Sequence, residues 1–334
     1  YSENDPMSAP WLRRTLLAAA CASTAWLAAC GSSVVDGFKP QRMIAFGDSM
    51  AYLGDASGNG RYTVNDGSVN NWTVQVAQRY GLTLSSSAAG GQSYARGNAR
   101  ITAKPDAAGN AGTPTVSEQV DGFLATQTVQ SGDMVLISAG TADLIVGMMA
   151  VQAGTQTADQ YLAQVRQAGE DLATQVRRLA NANLHVVVSG VYRLGRTPWA
   201  AALGQSDSNS NTSLLTQASD AFNATLLLKI EDLGTRVRYV EMAGYVNPLD
   251  DSVHRPYNYI GFANSTNPVC TSIDSGAGIG TGAGQVNSAL CTSSTLLPGA
   301  DPTNYEFADQ IYVSPTSQRQ LGDHAFNDVL RDTW

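Results

Sequence analysis

The feature that most constrains the fold of this 334-residue chain is an alternation of short apolar segments with longer amphipathic ones. Residues 134–138 form a continuous apolar run, as expected for a strand buried on both faces of a parallel sheet. Across 158–181, apolar residues recur at steps of three, four and seven, which predicts an amphipathic helix. Repeated β-α units of this kind predict a parallel sheet with helices on both faces.

The other segments follow the same alternation. Strands are predicted at 42–46, 82–85, 184–189 and 237–242, and helices at 71–80, 116–127 and 214–233. A last helix is predicted to begin at Ser314-Pro315, because serine suits the position before a helix and proline suits its first turn. No change of composition divides residues 41–334, which are expected to form one domain with an irregular insertion at about 243–308.

The net charge of -8 bears on possible partners. Binding to nucleic acid requires clustered lysine and arginine side chains that neutralise phosphates, and this sequence has no extended basic run. Nucleic acid is therefore excluded as a partner. Neither a metal nor a cofactor is predicted, because the cysteines lack ligand spacing and the glycine-rich run 278–284 neither follows a strand nor opens a helix.

The first 30 residues resemble a targeting segment. Met7 is followed by Arg13 and Arg14, then by an apolar stretch that is too short to span a membrane and ends in Leu-Ala-Ala-Cys-Gly at Cys30. Such an ending resembles a bacterial lipobox, in which the cysteine is lipidated. An ordinary signal peptide with an incidental Cys30 is the alternative. Residues 1–6 precede the expected start and are interpreted as upstream translation or a cloning remnant.

This leader predicts an exported protein. Residues 31–40 are then a short linker, and the N-terminal lipid attaches the domain to the bacterial cell envelope, facing the periplasm or at the outer membrane. A secreted protein is the alternative. Export also predicts a disulfide between Cys270 and Cys291, since disulfides form in oxidising compartments. Two free thiols are the alternative for this pair.

The strongest functional signal is Phe46-Gly47-Asp48-Ser49, which directly follows the first predicted strand, with Gly54 five residues after the serine. Ligands of doubly wound sheets bind at the carboxyl ends of the strands, so Ser49 falls where a site is expected. A serine hydroxyl becomes a good nucleophile only when a nearby base takes its proton. Ser49 is therefore the candidate nucleophile, and a base must be found for it.

This block, with the ordered segments that follow it, resembles the SGNH/GDSL hydrolases, which cleave esters of lipids, sugars and small acyl groups. The resemblance implies a three-layer α/β/α, flavodoxin-like fold with a central parallel sheet of about five strands. It also implies an oxyanion hole built from the N–H groups of Ser49 and Gly91 and from an asparagine side chain. Ala142 stands in place of that asparagine, before Asp143, and an alanine side chain donates no hydrogen bond.

The base departs from the family's pattern as well. Family members carry Asp-x-x-His before the last helix, and here Asp309 matches the aspartate while Tyr312 occupies the histidine position. An ordinary tyrosine has a pKa of about 10 and is a poor base at neutral pH. The resemblance therefore implies a role for Asp309 in orienting or replacing a base, and it leaves the base itself open.

The sequence holds three histidines that are candidates for the missing base. His185 opens a predicted core strand at the end opposite the site and is interpreted as structural. His324 lies about 14 Å along the last helix, which makes it a remote candidate. His254 lies in the irregular insertion, and it is interpreted either as an exposed loop residue or as a replacement base folded over the strand ends.

Two hypotheses follow. In the first, the chain is an exported serine esterase or lipase-like hydrolase that forms an acyl-enzyme at Ser49, with a small-molecule, lipid or glycan ester as substrate. Its base is then His254, or Tyr312 with a lowered pKa. In the second, the chain is a catalytically degenerate envelope lipoprotein that binds a glycan, a lipid or a protein through the same cleft. The changes at Ala142 and Tyr312 motivate this second hypothesis.

Overall fold

Four parallel strands form the central sheet in the computed structural model, which describes residues 38–55, 60–207, 212–246 and 261–331. They are β1 (Arg42–Gly47), β2 (Asp133–Ser138), β3 (His185–Ser189) and β4 (Val237–Val240). The strands lie side by side in sequence order, and every neighbouring pair is parallel. Side chains from both faces of β1 and β2 are buried, as the continuous apolar runs predict.

Helices flank this sheet. They are α1 (Trp72–Arg79), α2 (Val116–Thr126), α3 (Thr141–Gln152), α4 (Ala158–Asn181), α5 (Pro198–Ala202), α6 (Leu214–Ile230) and α7 (Pro315–His324). Helix α1 packs against α7, while α4 packs against α3 and α6. The predicted parallel sheet between helices is therefore confirmed.

The boundaries of α4 agree with its hydrophobic period, and Thr157 begins it with a capping box that includes Gln160. Ser314 caps α7 with Pro315 in its first turn, as predicted. Helix α3 was not predicted, because apolar side chains surround nearly its whole circumference and produce no amphipathic stripe.

The predicted strand at 82–85 does not form. A short 3₁₀ turn, Ser87–Ala89, follows this stretch, and it is Ser93 that makes an isolated parallel bridge to Ala45 of β1. Strand β1 thus has the bridging segment at Ser93 on one side and strand β2 on the other. The carboxyl end of β1, where Ser49 lies, is consequently the point at which the strand order reverses and ligands bind in such sheets.

Cys270 and Cys291 form the predicted disulfide, with their Cα atoms 5.9 Å apart. The hairpin that it closes contains the antiparallel strands β5 (Ile273–Asp274) and β6 (Gln285–Val286). Elsewhere in the insertion, Asn264–Pro268 pairs in parallel with Tyr305–Phe307. The insertion therefore contains short strands, and Asn98 Nδ2 donates to the Gly278 carbonyl at 2.9 Å, which fastens the hairpin to the domain.

Within the part of the chain that the structure describes, no helix has the length and apolar character needed to cross a membrane. The predicted leader, its lipidation site Cys30 and the candidate base His254 all lie outside the described residues.

We predict that the disulfide stabilises the domain. Closing a loop over a sequence separation of 21 residues lowers the entropy of the unfolded chain, so Cys270→Ala with Cys291→Ala lowers the free energy of unfolding by about 3 kcal/mol. Urea unfolding of the two proteins measures this difference. Ser275→Ala is the matched control, because Ser275 is exposed within the same loop. Equal unfolding free energies for the cysteine variant and the control contradict the prediction.

Candidate active site

The turn after β1 packs tightly against strand β2. Gly47 has φ +140°, and a Cβ at this position would lie 1.9 Å from the Ser138 carbonyl oxygen of β2, so no larger residue fits. The Gln119 side chain accepts from the Gly47 N–H at 2.9 Å and donates to its carbonyl at 3.0 Å. These contacts direct Ser49 to the carboxyl edge of the sheet, where only 1% of it is exposed.

Asp48 joins this turn to the N-terminus of α3. Its carboxylate accepts from the Thr141 N–H at 3.0 Å and from the Met50 N–H at 3.0 Å, and it also accepts from the Ala142 N–H. Burial raises the pKa of Asp48 to about 7, and the charge of Asp143 adds to the rise while the backbone donors oppose it. The position of Ala142 therefore supplies neither a side-chain donor nor a free backbone donor to Ser49.

Asp143 binds the segment at Arg100 and Ile101. It accepts from Arg100 Nε at 3.0 Å and from the Ile101 N–H at 3.0 Å. Burial raises the pKa of Asp143, against the attraction of the Arg100 guanidinium. Asp143 thereby fixes the segment that follows Asn98, a residue in direct contact with the serine.

The Ser49 hydroxyl has Asn98 as its hydrogen-bond partner. The Asn98 N–H donates to Ser49 Oγ at 2.9 Å, and Oγ lies 3.5 Å from Asn98 Oδ1. Asn98 has φ 60°, a left-handed conformation that asparagine tolerates better than most residues. Among the described residues, the N–H groups of Ser49 and Gly97 donate to no acceptor. One of these donors belongs to Ser49 and the other to the residue before Asn98, so both are candidates for an oxyanion hole.

Tyr62 and Tyr312 also lie beside the Ser49 hydroxyl, and their ring centroids are 4.9 Å apart. Burial raises the pKa of both phenols, and the nearby serine hydroxyl lowers it by less. Within the described residues, the buried Tyr312 hydroxyl forms no hydrogen bond of standard geometry. Because both phenols stay protonated at neutral pH, neither is suited to take the serine proton.

Asp309, at the candidate position of an orienting acid, is wholly buried and accepts four hydrogen bonds. The Ile311 and Tyr312 N–H groups donate to one carboxyl oxygen at 2.8 and 2.7 Å. Ser288 donates to the other oxygen through its N–H, at 3.1 Å, and through its hydroxyl. Burial raises the pKa of Asp309 to about 6, while the Ser288 hydroxyl opposes the rise. These bonds join the segment of Tyr312 to the disulfide hairpin.

The other predicted residues lie elsewhere. The Gly91 N–H donates to the Ser86 carbonyl at 2.9 Å, so a role for Gly91 in an oxyanion hole stays a prediction. His185 stacks on Phe38, with ring centroids 3.6 Å apart, at the opposite end of its strand. His324 Nε2 lies 3.0 Å from the Glu241 carbonyl oxygen. Neither of these described histidines contacts Ser49.

Sequence reasoning missed Tyr62, Gly97 and Asn98. One signal was available: Gly97, six residues after Gly91, is a second glycine that could have been considered for the oxyanion hole. Tyr62 carried no signal, because it lies 13 residues after Ser49 in a segment without helical or strand period.

A cleft with a volume of about 450 Å³ adjoins this constellation. Tyr62, Gly97 and Asn98 line the cleft, and two of them, Tyr62 and Asn98, also contact Ser49. The remaining walls come from Tyr52, Asp55 and Arg96, from residues within 106–114 and from the disulfide hairpin. Its volume is typical of sites that bind small molecules. No group of three or more candidate metal ligands occurs among the described residues.

Comparison with known proteins places this geometry in context. A family model described as GDSL-like lipase/acylhydrolase matches residues 43–325. The chain is similar to a crystal structure of a member of the lipolytic protein G-D-S-L family from Veillonella parvula DSM 2008. Their sequences are 10% identical with a TM-score of 0.39, and the match covers 85% of this chain and 96% of that chain. A second crystal structure is 12% identical with a TM-score of 0.43 and covers 86% and 94%. No curated protein matches the chain.

The raised pKa of Asp48 predicts a pH-dependent stability. The folded protein binds the Asp48 proton up to about pH 7, whereas the unfolded chain releases it near the ordinary value of 3.8. The free energy of unfolding of the wild type, minus that of Asp48→Asn, therefore falls as pH rises between these values and is constant above them. Urea unfolding of both proteins from pH 4 to pH 8 measures this difference. A difference that rises with pH across this window contradicts the prediction.

Proposed function

Because the chain belongs to the GDSL-like lipase/acylhydrolase family, we propose that its cleft receives an ester-bearing ligand beside Ser49. We propose further that the protein binds this ligand and does not hydrolyse it at an enzymatic rate. The observation that carries the proposal is Tyr312, which occupies the position of the family's base with its phenol buried beside Ser49 and held protonated.

The energetic argument concerns proton transfer first. A positioned acid-base group contributes typically about 10²- to 10⁴-fold to a rate when its pKa lies near the working pH. Burial raises the pKa of Tyr312 and Tyr62 well above that range. The Ser49 proton therefore has no acceptor among the phenols that surround it.

The second argument concerns the oxyanion. Ala142 is wholly buried, and its N–H donates to Asp48. The loss of one oxyanion donor typically costs about 10²- to 10³-fold in rate. If no base comes from outside the described residues, the expected deficit relative to a complete site is about 10⁴-fold or more. Ser49 is also almost fully covered, which further restricts attack on a bound ester.

A serine esterase is the second candidate function. The N–H groups of Ser49 and Gly97, which have no acceptor among the described residues, favour it. In this reaction Ser49 Oγ attacks the ester carbonyl carbon while a base takes the serine proton. The C–O bond then breaks as the base gives that proton to the leaving oxygen, which departs as a neutral alcohol. Water then hydrolyses the acyl-serine and restores the hydroxyl. The base must come from outside the described residues, where His254 is the candidate, because the raised pKa of Tyr312 disfavours that residue.

We also propose that the chain is exported and attached to a bacterial envelope through a lipid on Cys30. Support comes from the leader and lipobox-like sequence. The Cys270–Cys291 disulfide adds support, since such bonds persist in oxidising compartments. A lipid anchor would hold the cleft near a membrane surface.

We predict that the missing chemistry can be restored. Tyr312→His with Ala142→Asn supplies a base and a third oxyanion donor, so hydrolysis of p-nitrophenyl acetate rises at least about 100-fold above wild type. Steady-state assays measure the rate, and labelling by a fluorophosphonate probe reports the reactivity of Ser49. Adding Ser49→Ala to the double variant removes the gain.

Tyr312→Phe is the matched control, because it keeps the ring and removes only the hydroxyl, and its rate stays at the wild-type level. Fast wild-type hydrolysis that Ser49→Ala abolishes would refute the binding proposal. If His254→Ala also abolishes that activity, the second candidate function is correct, with His254 as its base.

The predicted lipid on Cys30 is tested by metabolic labelling with an alkyne palmitate in a bacterial host. The full chain incorporates the label and Cys30→Ala does not. Cys21→Ala is the matched control, because Cys21 lies in the same leader and should not affect incorporation. Labelling of Cys30→Ala at the wild-type level rejects the anchor.

A further inference from the structure

We propose that the cleft beside Ser49 binds a neutral saccharide. This inference rests on the proposed binding function for the location of the ligand, and it adds the chemical class. The lining of the cleft includes four side chains that can both donate and accept hydrogen bonds, namely Asn98, Asn110, Thr113 and Asn287. The protein already uses part of this capacity, since Asn98, Thr113 and Asn287 donate to the Gly278 carbonyl, Asp106 and Asp274. Each sugar hydroxyl also donates and accepts, so the remaining donors and lone pairs suit a polyol.

Two carboxylates in the wall are already oriented by the protein. Asp106 accepts from the Asn110 N–H at 2.8 Å and from Thr113 Oγ1 at 2.6 Å. Asp274 accepts from the Gly276 N–H at 2.8 Å and from Asn287 Nδ2 at 2.8 Å. A carboxylate accepts about four hydrogen bonds, so each has capacity left for ligand hydroxyl groups.

The charge of the wall argues against an anionic ligand. The cleft carries three carboxyl groups, on Asp55, Asp106 and Asp274, against the single guanidinium of Arg96. Arg96 donates to the Tyr94 and Ala95 carbonyls at 3.3 and 3.0 Å, so its donors are partly used within the protein. A phosphate or a uronate would be repelled by this field, whereas a neutral sugar is not.

The apolar part of the wall argues against a long acyl chain. The aliphatic side chains that face the cleft are short, namely Ala108, Pro114, Ala277 and Ala289. Tyr52 and Tyr62 add aromatic surface but are 5% and 7% exposed. Burying an acyl chain contributes about 25 cal/mol of binding free energy for each Å² of apolar surface removed from water. A wall with few apolar side chains buries little of that surface.

The walls are also fastened in place. Besides the Asn98–Gly278 bond, the Gly60 N–H donates to the Ala289 carbonyl at 2.9 Å. Gly280 approaches Ala107 so closely that an added Cβ would lie 2.6 Å from the Ala107 carbonyl oxygen. Pre-formed walls reduce the entropy that binding must overcome, which favours recognition of a small, rigid ligand such as a sugar ring.

Isothermal titration calorimetry of the full chain tests the proposal. The probes are cellobiose, xylobiose, mannobiose and di-N-acetylchitobiose, with digalacturonate as the anionic probe and monooctanoylglycerol as the acyl probe. We expect at least one neutral disaccharide to bind with a Kd of about 1 mM or tighter and digalacturonate to bind at least about 10-fold more weakly.

Ala277→Trp is designed to fill the cleft from its exposed rim, and it should weaken disaccharide binding at least about 10-fold. Ala283→Trp is the matched control, because Ala283 is exposed in the same hairpin and does not line the cleft. It should bind like the wild type. Thermal unfolding of both variants confirms that each is folded.

Three results overturn the saccharide assignment: no binding of any neutral disaccharide, tighter binding of digalacturonate, or equal binding by Ala277→Trp and wild type. Binding of monooctanoylglycerol alone, weakened by Ala277→Trp, also overturns it while the proposed ligand-binding function stands. Rapid ester hydrolysis by the wild type refutes the proposed function instead, and the disaccharide titrations, repeated with Ser49→Ala, still decide the ligand class.

Discussion

The buried carboxylate of Asp48 is the interaction on which the site depends. It bonds the first N–H groups of α3 to the turn after β1, and the positive end of the helix favours a negative charge there. Burial opposes the same charge and raises the pKa to about 7. The serine position, the start of α3 and the edge of the sheet are therefore set by one carboxyl group. Asp48 also accepts the hydrogen bond of the Ala142 N–H.

Around this anchor, the site has two parts that differ in completeness. The backbone part is present, since Asn98 donates to Ser49 Oγ and the Ser49 and Gly97 N–H groups have no acceptor among the described residues. The side-chain part is changed, because Ala142 and Tyr312 provide no donor and no base. Backbone donors follow from the fold, whereas proton transfer depends on individual side chains. Under the proposed function, this domain positions a serine and a ligand without activating the serine.

The sequence allowed much of this to be predicted where the signal is local. The period of α4 and the apolar run of β2 predicted elements close to those observed, and the strand-to-serine step predicted where the site lies. Helix α3 was missed because it is apolar on most sides. The strand at 82–85 was wrongly predicted, since the segment that bridges to β1 lies further along the chain, at Ser93. The contacts of Tyr62 with Ser49 are long-range, and no local pattern encodes them.

Asp309 keeps its hydrogen bonds although Tyr312 stands at the histidine position of the family pattern. In the family pattern this aspartate orients a histidine, but here all of its observed donors belong to Ser288, Ile311 and Tyr312. Ser288 donates two of these bonds, and the Ile311 and Tyr312 backbone N–H groups donate the other two. None of the four depends on the side chain at position 312. Removing a buried carboxylate would leave these donors without acceptors, at a cost of about 1–3 kcal/mol for each. The aspartate is therefore required by the fold whether residue 312 is a base or a phenol, and its presence is evidence for the architecture of the site rather than for hydrolysis.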